Sequence, residues 1–224
     1  MNEQILKDIA EKMKSNTLSA ADTVRKAIKE IVDAAAPVWV TGDAKEIFES
    51  LWQILNDTQP TMQSATNDAI TILNNAYKSM MEAANLADHD FTKATLLDVE
   101  PTLTVDVTKI KDYNGGILGT TDDLTSLKEL VKTKEAEIET AIKDLAKTIE
   151  GLARDFFARI GSNTGNMEEA IQNLYSRLLD GFAKLFHILD SDDSSLTKAI
   201  QTCIDKYDEA QQAIASAVAG VSVN

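Results

Sequence analysis

The sequence contains few of the residues that interrupt or cross-link a chain. Among its 224 residues are 3 prolines, 9 glycines and a single cysteine, Cys203. One cysteine cannot form an intrachain disulfide, so oxidative cross-linking does not stabilise this fold. The scarcity of proline and glycine, with only 5% aromatic residues, disfavours many short strands and favours long helices. Hydrophobic residues make up 44% of the chain, which is enough to form a buried core.

Basic residues are also in the minority. The chain has 22 Lys and Arg against 36 Asp and Glu, a formal net charge of −14. Residues 1–110 carry 10 basic and 17 acidic side chains and residues 111–224 carry 12 and 19, so each half has a net charge of −7. This even negative charge offers no basic face for a phosphate backbone, so we expect no nucleic-acid partner. Anionic bilayers should repel it as well, so a membrane partner is not expected.

No apolar run in the sequence is long enough to span a membrane. The longest extends from Ala34 to Val40, whereas a spanning helix needs roughly 20 residues. Residues 1–14 are charged, follow a helical pattern and contain no apolar core of a signal peptide. We therefore expect a protein made as a soluble chain, whose export would not involve a cleaved signal peptide.

The residues of common catalytic and metal sites are scarce. The only histidines, His89 and His187, have no second His or Cys at the spacing of a metal-ligand pair. Cys203 lies on an apolar stripe and is interpreted as a small core residue. Residues 190–201 begin like a calcium-binding loop but lack its central glycine and its final glutamate. We predict no catalytic residue, no metal site and no cofactor, and a protein that is not an enzyme.

Apolar residues recur at the three- and four-residue spacing of amphipathic helices along most of the chain. Two such stripes precede residue 89 and two follow residue 121, and the last would be interrupted at residues 190–195. The first two comprise Ile5, Ile9, Met13, Val24, Ile28, Ile31 and Ala35, then Met62, Ala65, Ala69, Ile72, Ala76, Met80, Ala83 and Ala87. The third comprises Leu124, Leu127, Val131, Ile138, Ile142, Leu145, Ile149, Leu152 and Phe156, with Lys134 as its polar member. The fourth comprises Met167, Ile171, Leu174, Leu178, Phe182, Leu185, Leu189, Leu196, Ala199, Cys203, Tyr207, Ala210, Ile214 and Ala217.

Local features mark where these helices should bend, begin or end. The apolar spacing slips near residues 15–17, where we expect an irregular turn. Pro60 lacks an N–H group and should kink or interrupt the second helix. Thr121 or Thr125 is expected to cap the third helix. The glycine-containing residues 161–166 should end it.

Helical spacing disappears between residues 89 and 121. This stretch contains a proline and three glycines, and its residues 102–110 alternate in the manner of a short strand. We predict two helical hairpins, residues 1–88 and 122–224, joined by a partly extended linker at 89–121. Because packing one hairpin on the other would bury both apolar faces, the predicted fold is all-α, an elongated antiparallel four-helix bundle made of two hairpins in tandem.

The stretch PVWVTGDAKEIF, residues 37–48, separates the first two helices. Pro37 cannot continue the first helix, and Gly42 allows a tight bend. Thr41 or Asp43 can cap the second helix. Trp39 is large enough to fill the space where two helices part, so Trp39 and Gly42 can be explained as turn residues alone.

This stretch also resembles the turn of the WXG family, small helical-hairpin proteins exported by type VII (ESX) secretion. The turn motif here would be Trp39, Gly42, Phe48 and Trp52. The chain is similar to the family in its acidity, its low cysteine content and its lack of a signal peptide. It differs in having two residues between Trp and Gly where the family has one. Family members consist of one hairpin and pair as four-helix dimers, so the resemblance covers residues 1–90 directly and the second hairpin in outline.

The family's export signal is a Tyr followed four residues later by an acidic residue, near the end of a hairpin. Here the fourth residue after Tyr207 is Gln211, although Asp208 and Glu209 follow directly. The resemblance implies either a degenerate signal at Tyr207, Asp208 and Glu209 or a signal that a partner supplies.

The resemblance implies a non-enzymatic secreted helical protein, either a type VII substrate or the escort of a larger secreted effector. Its partners would be the secretion machinery and a co-secreted protein. The chain would be a monomer that mimics the family's dimer, or a homodimer. Two other hypotheses are a membrane-active helical toxin, suggested by alanine-rich segments and opposed by the negative charge, and a cytoplasmic coiled-coil adaptor that is not exported.

Overall fold

The computed structural model describes residues 3–38, 44–84, 86, 90–98, 120–161 and 195–219, and single residues or pairs between 169 and 189. Side chains are described from Pro60 onward in the second of these ranges. Over these residues the protein consists of helices without a strand: α1 (Glu3–Ala35), α2 (Ala44–Ala83), α3 (Thr121–Ile160) and α4 (Leu196–Ala219). The predicted all-α class is confirmed, and the helix packing is consistent with a bundle. The strand suggested at residues 102–110 lies outside the described residues.

Helix α1 is continuous through residues 15–17, where an irregular turn was expected. The apolar spacing slips there because the position facing the core is held by Thr17, which is only 3% exposed. Its Oγ1 lies 2.9 Å from the Met13 carbonyl oxygen, so the buried hydroxyl is satisfied within the helix. At the start of α1, Leu6 is fully buried and Ile5 only partly, so the predicted stripe is wrong at its first position, whereas its members from Ile9 to Ala35 are buried as predicted.

Helix α2 contains Pro60 and runs through it, so the predicted interruption of the helix is wrong. A proline inside a helix costs about 3 kcal/mol through a lost backbone hydrogen bond and a steric clash. The residues that follow offset this cost, since Met62, Ile70 and Leu73 are completely buried and each contributes roughly 1.5–3 kcal/mol. The buried face is centred on Ile70, Leu73 and Tyr77, whereas Ile72, which we placed in the core, is half-exposed.

Helix α3 follows its predicted stripe closely. All the predicted apolar positions are buried except Leu152, which is half-buried. The N-terminal cap is Thr120 rather than Thr121 or Thr125: the Asp123 N–H donates to Thr120 Oγ1 (3.2 Å), and the Thr120 N–H donates to Asp123 Oδ2 (2.8 Å). This reciprocal arrangement is a capping box. The helix ends where predicted, at Gly161, whose φ of 68° is in the left-handed region that favours glycine.

The chain is divided into two compact units. The first contains Met1–Arg25, Leu55–Thr104 and Ile138–Ala183, and the second contains Lys26–Ile54, Val105–Glu137 and Lys184–Asn224. The boundary between the units therefore divides α1, α2 and α3, and each unit contains one part of each of these helices. The predicted boundaries at residues 88 and 121 stay a prediction.

The first unit has an apolar core with two buried hydroxyls. Its largest fully buried side chains are Leu6, Met13, Met62, Ile70 and Phe156. The Oγ1 atoms of Thr17 on α1 and Thr66 on α2 lie 2.6 Å apart inside this core.

The second unit packs the end of α1, the start of α3 and the start of α4. Its core includes Ile28, Ile31, Val131, Leu196 and Ile200. The polar member of the α3 stripe, Lys134, keeps only 13% of its side chain exposed, and its Nζ lies 2.6 Å from Glu30 Oε2 of α1. Hydrogen bonds to Glu30 and Glu137 raise the pKa of Lys134, so its ammonium group stays charged at the edge of the core.

Candidate functional site

The end of the first helix is described, but most of the turn after it is not. Helix α1 ends at Ala35, two residues before Pro37, and the Val38 N–H donates to the Ala35 carbonyl oxygen (3.0 Å). Trp39 and Gly42 lie outside the described residues. Phe48 and Trp52 lie within α2, and their side chains are outside the described part. The turn motif therefore stays a prediction.

The C-terminal half of α4 has an apolar stripe that the described fold does not bury. Every residue from 205 to 216 is exposed, whereas Ile204, directly before this stretch, and Ile200, one turn before Ile204, are buried. Tyr207 is 37% exposed and Ile214 64% exposed. This stretch was predicted to lie in the core, and that placement is wrong. Docking of the apolar face of an amphipathic helix into a groove is one recurring mode of protein recognition.

The suggested export-signal residues lie on this exposed helix end. Tyr207, Asp208 and Glu209 are consecutive in α4, so they point in directions about 100° apart around the helix. Tyr207 shares a face with Ile214 and with the half-buried Cys203. Asp208 is about 100° and Glu209 about 200° around the helix from Tyr207, so a partner that covers Tyr207 would meet the apolar stripe and neither of these two carboxylates.

A second site, which sequence reasoning missed, holds an extended segment against the helices of the first unit. Residues 91–98, here called the extended segment, have no regular secondary structure. Asn74 Nδ2 donates to the Ala94 carbonyl oxygen (3.0 Å), and the Ala94 N–H donates to Asn74 Oδ1 (2.9 Å). Asn67 forms the same pair with Leu97, at 2.9 and 2.7 Å. Two side-chain amides on α2 thus bind the backbone as a neighbouring β-strand would.

The side chains of the extended segment are buried with a period of three. Ala94 and Leu97 are 5% and 7% exposed, Phe91 is half-buried, and the residues between them are exposed. The Phe91 ring packs on Tyr77 with its centroid 5.2 Å away. A three-residue period is that of the polyproline II helix, in which every third side chain faces the same direction.

Helix α1 contacts the exposed edge of the extended segment. The Thr92 N–H donates to Glu3 Oε1 (2.9 Å), and Lys14 Nζ donates to Thr95 Oγ1 (3.0 Å). The hydrogen bond from the Thr92 backbone, with a smaller contribution from Lys7, holds the pKa of the Glu3 carboxyl below its usual value, against a weaker opposing effect of burial. Burial, and then the nearby Glu3 carboxylate, raises the pKa of the Tyr77 hydroxyl. The extended segment therefore lies in a groove whose walls are α1 and α2.

A shallow cleft of about 190 Å³ lies between α1 and α3 in the first unit. Its polar lining includes Asn16, Thr23 and Asp144. Asn16 Nδ2 donates to the Lys12 carbonyl oxygen (2.8 Å), so the side chain has its oxygen left as an acceptor. The cleft is smaller than the roughly 300–1,000 Å³ of usual ligand pockets, and we assign no cofactor to it.

Two further features are absent from the described part of the chain. There, no three His, Cys, Asp or Glu side chains are grouped as a metal ion would require. No helix in that part is both long and apolar enough to cross a bilayer.

Comparisons with known proteins do not add a family to these observations. The chain matches no protein-family model, and searches of curated proteins and of solved structures returned no match. The two features of the structure that bear on function are the exposed end of α4 and the groove with its extended segment.

Proposed function

We propose that this protein is a non-enzymatic helical protein exported by type VII (ESX) secretion, as a substrate or as the escort of a co-secreted protein. It would be made in the bacterial cytoplasm and leave without a cleaved signal peptide. The observation that supports this best is the exposed end of α4, residues 205–216. It contains Tyr207, Asp208 and Glu209 where the WXG resemblance would place an export signal.

The exposure of this helix end is what makes it suitable for recognition. Binding energy at protein interfaces comes mainly from a few large side chains that become buried, and tyrosine is prominent among them. Tyr207 and Ile214 are two turns apart on one face and both exposed. A partner that covers this face buries apolar area without first having to unfold the first or second unit. The secretion machinery, or a co-secreted protein, is the partner that the resemblance implies.

We also infer that α1 and α2 form an antiparallel hairpin, and that a second hairpin follows residue 121. Thr17 of α1 lies against Thr66 of α2, and Glu3 of α1 lies close enough to Tyr77 of α2 to affect its pKa. Residues earlier in α1 therefore lie against residues later in α2. The two helices run in opposite directions, which supports the first hairpin. With a second hairpin, one chain would supply the four helices that two WXG chains supply, as a monomer, or would pair further as a homodimer.

Fractionation of the native host tests the proposal. The wild-type chain and the variants Tyr207→Ala and Trp39→Ala would be followed in cells and medium, with and without the type VII secretion ATPase. We expect the wild-type chain in the medium only when the ATPase is present, and at least a tenfold loss of export for both variants. The matched control is Gln212→Ala, which replaces an exposed residue of the same helix. This variant should be exported normally.

The other hypotheses predict different results in the same strains. Retention of the chain in the cytosol with and without the ATPase would contradict export and favour the cytoplasmic adaptor. Dye release from liposomes would instead favour the membrane-active toxin, and we expect none at pH 7, where the chain has a formal net charge of −14.

A further inference from the structure

The groove between α1 and α2 has the properties of a peptide-binding site that is filled by its own chain. Asn67 and Asn74 are seven residues apart on α2, which corresponds to about 10.5 Å along a helix. Their partners Leu97 and Ala94 are three residues apart, about 9.3 Å along a polyproline II backbone. The two spacings agree, so both asparagines reach the backbone of one extended chain at once.

These contacts recognise the backbone groups of the segment and the three-residue spacing of its buried side chains. They do not require one particular amino-acid sequence. Each asparagine satisfies one N–H and one C=O group of the segment, and every residue except proline has both groups. The side-chain requirement is a small residue at the position of Ala94, a leucine at the position of Leu97 and an aromatic ring on Tyr77. The residues between these positions are exposed, and among their side chains Thr95 accepts a hydrogen bond from Lys14.

The asparagines also explain why the groove is not left empty. Asn74 is only 7% exposed, and a buried amide without hydrogen-bond partners is strongly unfavourable. A groove lined only by apolar side chains would be as well satisfied by a third helix. A groove that contains two amides, spaced to match an extended backbone, is satisfied by such a backbone.

We propose that this groove binds an extended segment of a separate partner protein, and that residues 91–97 occupy it when the partner is absent. The partner's segment has a polyproline II backbone, with an aromatic residue, a small residue and a leucine at successive three-residue intervals. The resident segment is held by two well-buried side chains and a few hydrogen bonds, so it opens far more easily than the core beneath it. Because it is tethered nearby, it competes at a high effective concentration, and the partner binds by displacing it. This proposal does not depend on export.

The test uses the full-length chain with its own segment disabled. One variant carries Ala94→Asp and Leu97→Asp, and another has residues 91–98 replaced by a Gly-Ser sequence of equal length. The probe is a fluorescein-labelled peptide with the sequence of residues 90–98, and fluorescence anisotropy reports its binding. We expect at least a tenfold lower Kd for the disabled chains than for the wild type.

Matched controls assign the binding to the groove. In a disabled chain, Asn67→Ala with Asn74→Ala should weaken peptide binding at least tenfold, whereas Asn75→Ala, at the exposed position next to Asn74, should leave it unchanged. A peptide with Glu at the position of Ala94 should not bind. A peptide altered at the position of Leu96, which is 49% exposed, should bind normally.

Three results would overturn the proposal. The first is a disabled chain that keeps the wild-type helical circular dichroism and does not bind the peptide. The second is loss of that helical signal in both disabled variants, because a segment without which the helices do not fold is part of the core. The third is a wild-type dimer that the Ala94→Asp/Leu97→Asp variant cannot form, which would make a second copy of the chain the occupant in place of a separate partner.

Discussion

Thr17 Oγ1 on α1 and Thr66 Oγ1 on α2 lie 2.6 Å apart in the core of the first unit. Each hydroxyl is also 2.9 Å from a carbonyl oxygen one turn earlier in its own helix, that of Met13 or Met62. A hydroxyl has a single proton, so one threonine donates across the pair while the other donates to its own helix. The pair is a specific polar contact between two otherwise apolar faces.

We expect Thr17→Val to lower the free energy of unfolding by about 1 kcal/mol, because Thr66 loses a buried partner. Thr17→Val combined with Thr66→Val should cost less than the sum of the single changes, since the valines fill the same space and leave no unpaired hydroxyl. Urea denaturation of the four chains gives the coupling energy. Additive effects would show that the two hydroxyls do not interact.

Asn74→Ala should release the middle of the extended segment. The change leaves the N–H and C=O groups of Ala94 without their partner while Ala94 is 5% exposed, and we expect a loss of about 2 kcal/mol. Amide hydrogen exchange at Ala94 should accelerate more than exchange in the core of α1. Asn75→Ala is the control, and its effect should stay within about 0.5 kcal/mol.

Two glycine substitutions in or beside α3 should change stability in opposite directions. Gly161 has a φ of 68°, so Gly161→Ala should cost about 1 kcal/mol although there is space for a methyl group. Gly151 lies inside α3 with no atom within 4 Å of an added Cβ, so Gly151→Ala should stabilise by about 0.5–1 kcal/mol. Thermal unfolding followed by circular dichroism measures both. A stabilising Gly161→Ala would contradict the assigned helix end.

Acidification should loosen the contact between Glu3 and Thr92. The folded pKa of Glu3 is lowered, so the ionised carboxylate stabilises the fold above its unfolded pKa of about 4.3, and this contribution is lost as the pH falls through the folded pKa. The Asp123 carboxyl, whose pKa is lowered by the Thr120 N–H, acts in the same direction. The Thr92 amide resonance should therefore shift in NMR spectra over this acidic range. Glu3→Gln should abolish the shift, and a shift that persisted in this variant would assign it to another group.

Two isoleucines represent the two parts of α4: the part that packs in the core and the part that is exposed. Ile204 is 7% exposed and Ile214 is 64% exposed. Ile204→Ala should cost about 3 kcal/mol, whereas Ile214→Ala should change stability by less than about 0.5 kcal/mol. Urea denaturation measures both changes. A large loss with Ile214→Ala would mean that the end of α4 contributes to the core.

The sequence predicted local structure correctly where apolar residues recur at a regular helical spacing. The apolar stripe of α3 predicted its buried face from Leu124 to Phe156, with Lys134 as a polar member at the edge of the core. The break at Gly161 was also predicted, because a glycine after a long apolar stripe is a common helix end. Periodicity indicates which face of a helix is apolar, and in α3 that face is also the buried one.

The spacing of apolar residues did not predict which positions are buried where burial depends on a contacting residue from another part of the chain. Thr17 looked like a slip in the stripe of α1, and it is buried because Thr66 lies opposite. Asn67 and Asn74 are not part of the predicted apolar stripe of α2, and their pairing is recognisable only because Leu97 and Ala94 lie against them. Their seven-residue spacing beside an apolar stripe was the available signal. A single sequence does not show which backbone will satisfy a polar side chain.

Composition and apolar spacing alone were thus sufficient for the all-α class and for the buried face of α3, because these depend on local backbone preference and on the average removal of apolar area from water. The position of the extended segment, and the exposure of α4 beyond residue 204, depended on the packing of segments far apart in sequence. Tyr207 and Ile214 lie within about 80° of Ile204 around the helix axis, yet only Ile204 is buried. An amphipathic pattern creates a face that can be buried, and whether it is buried depends on the presence of an opposing surface, which is a property of the folded chain.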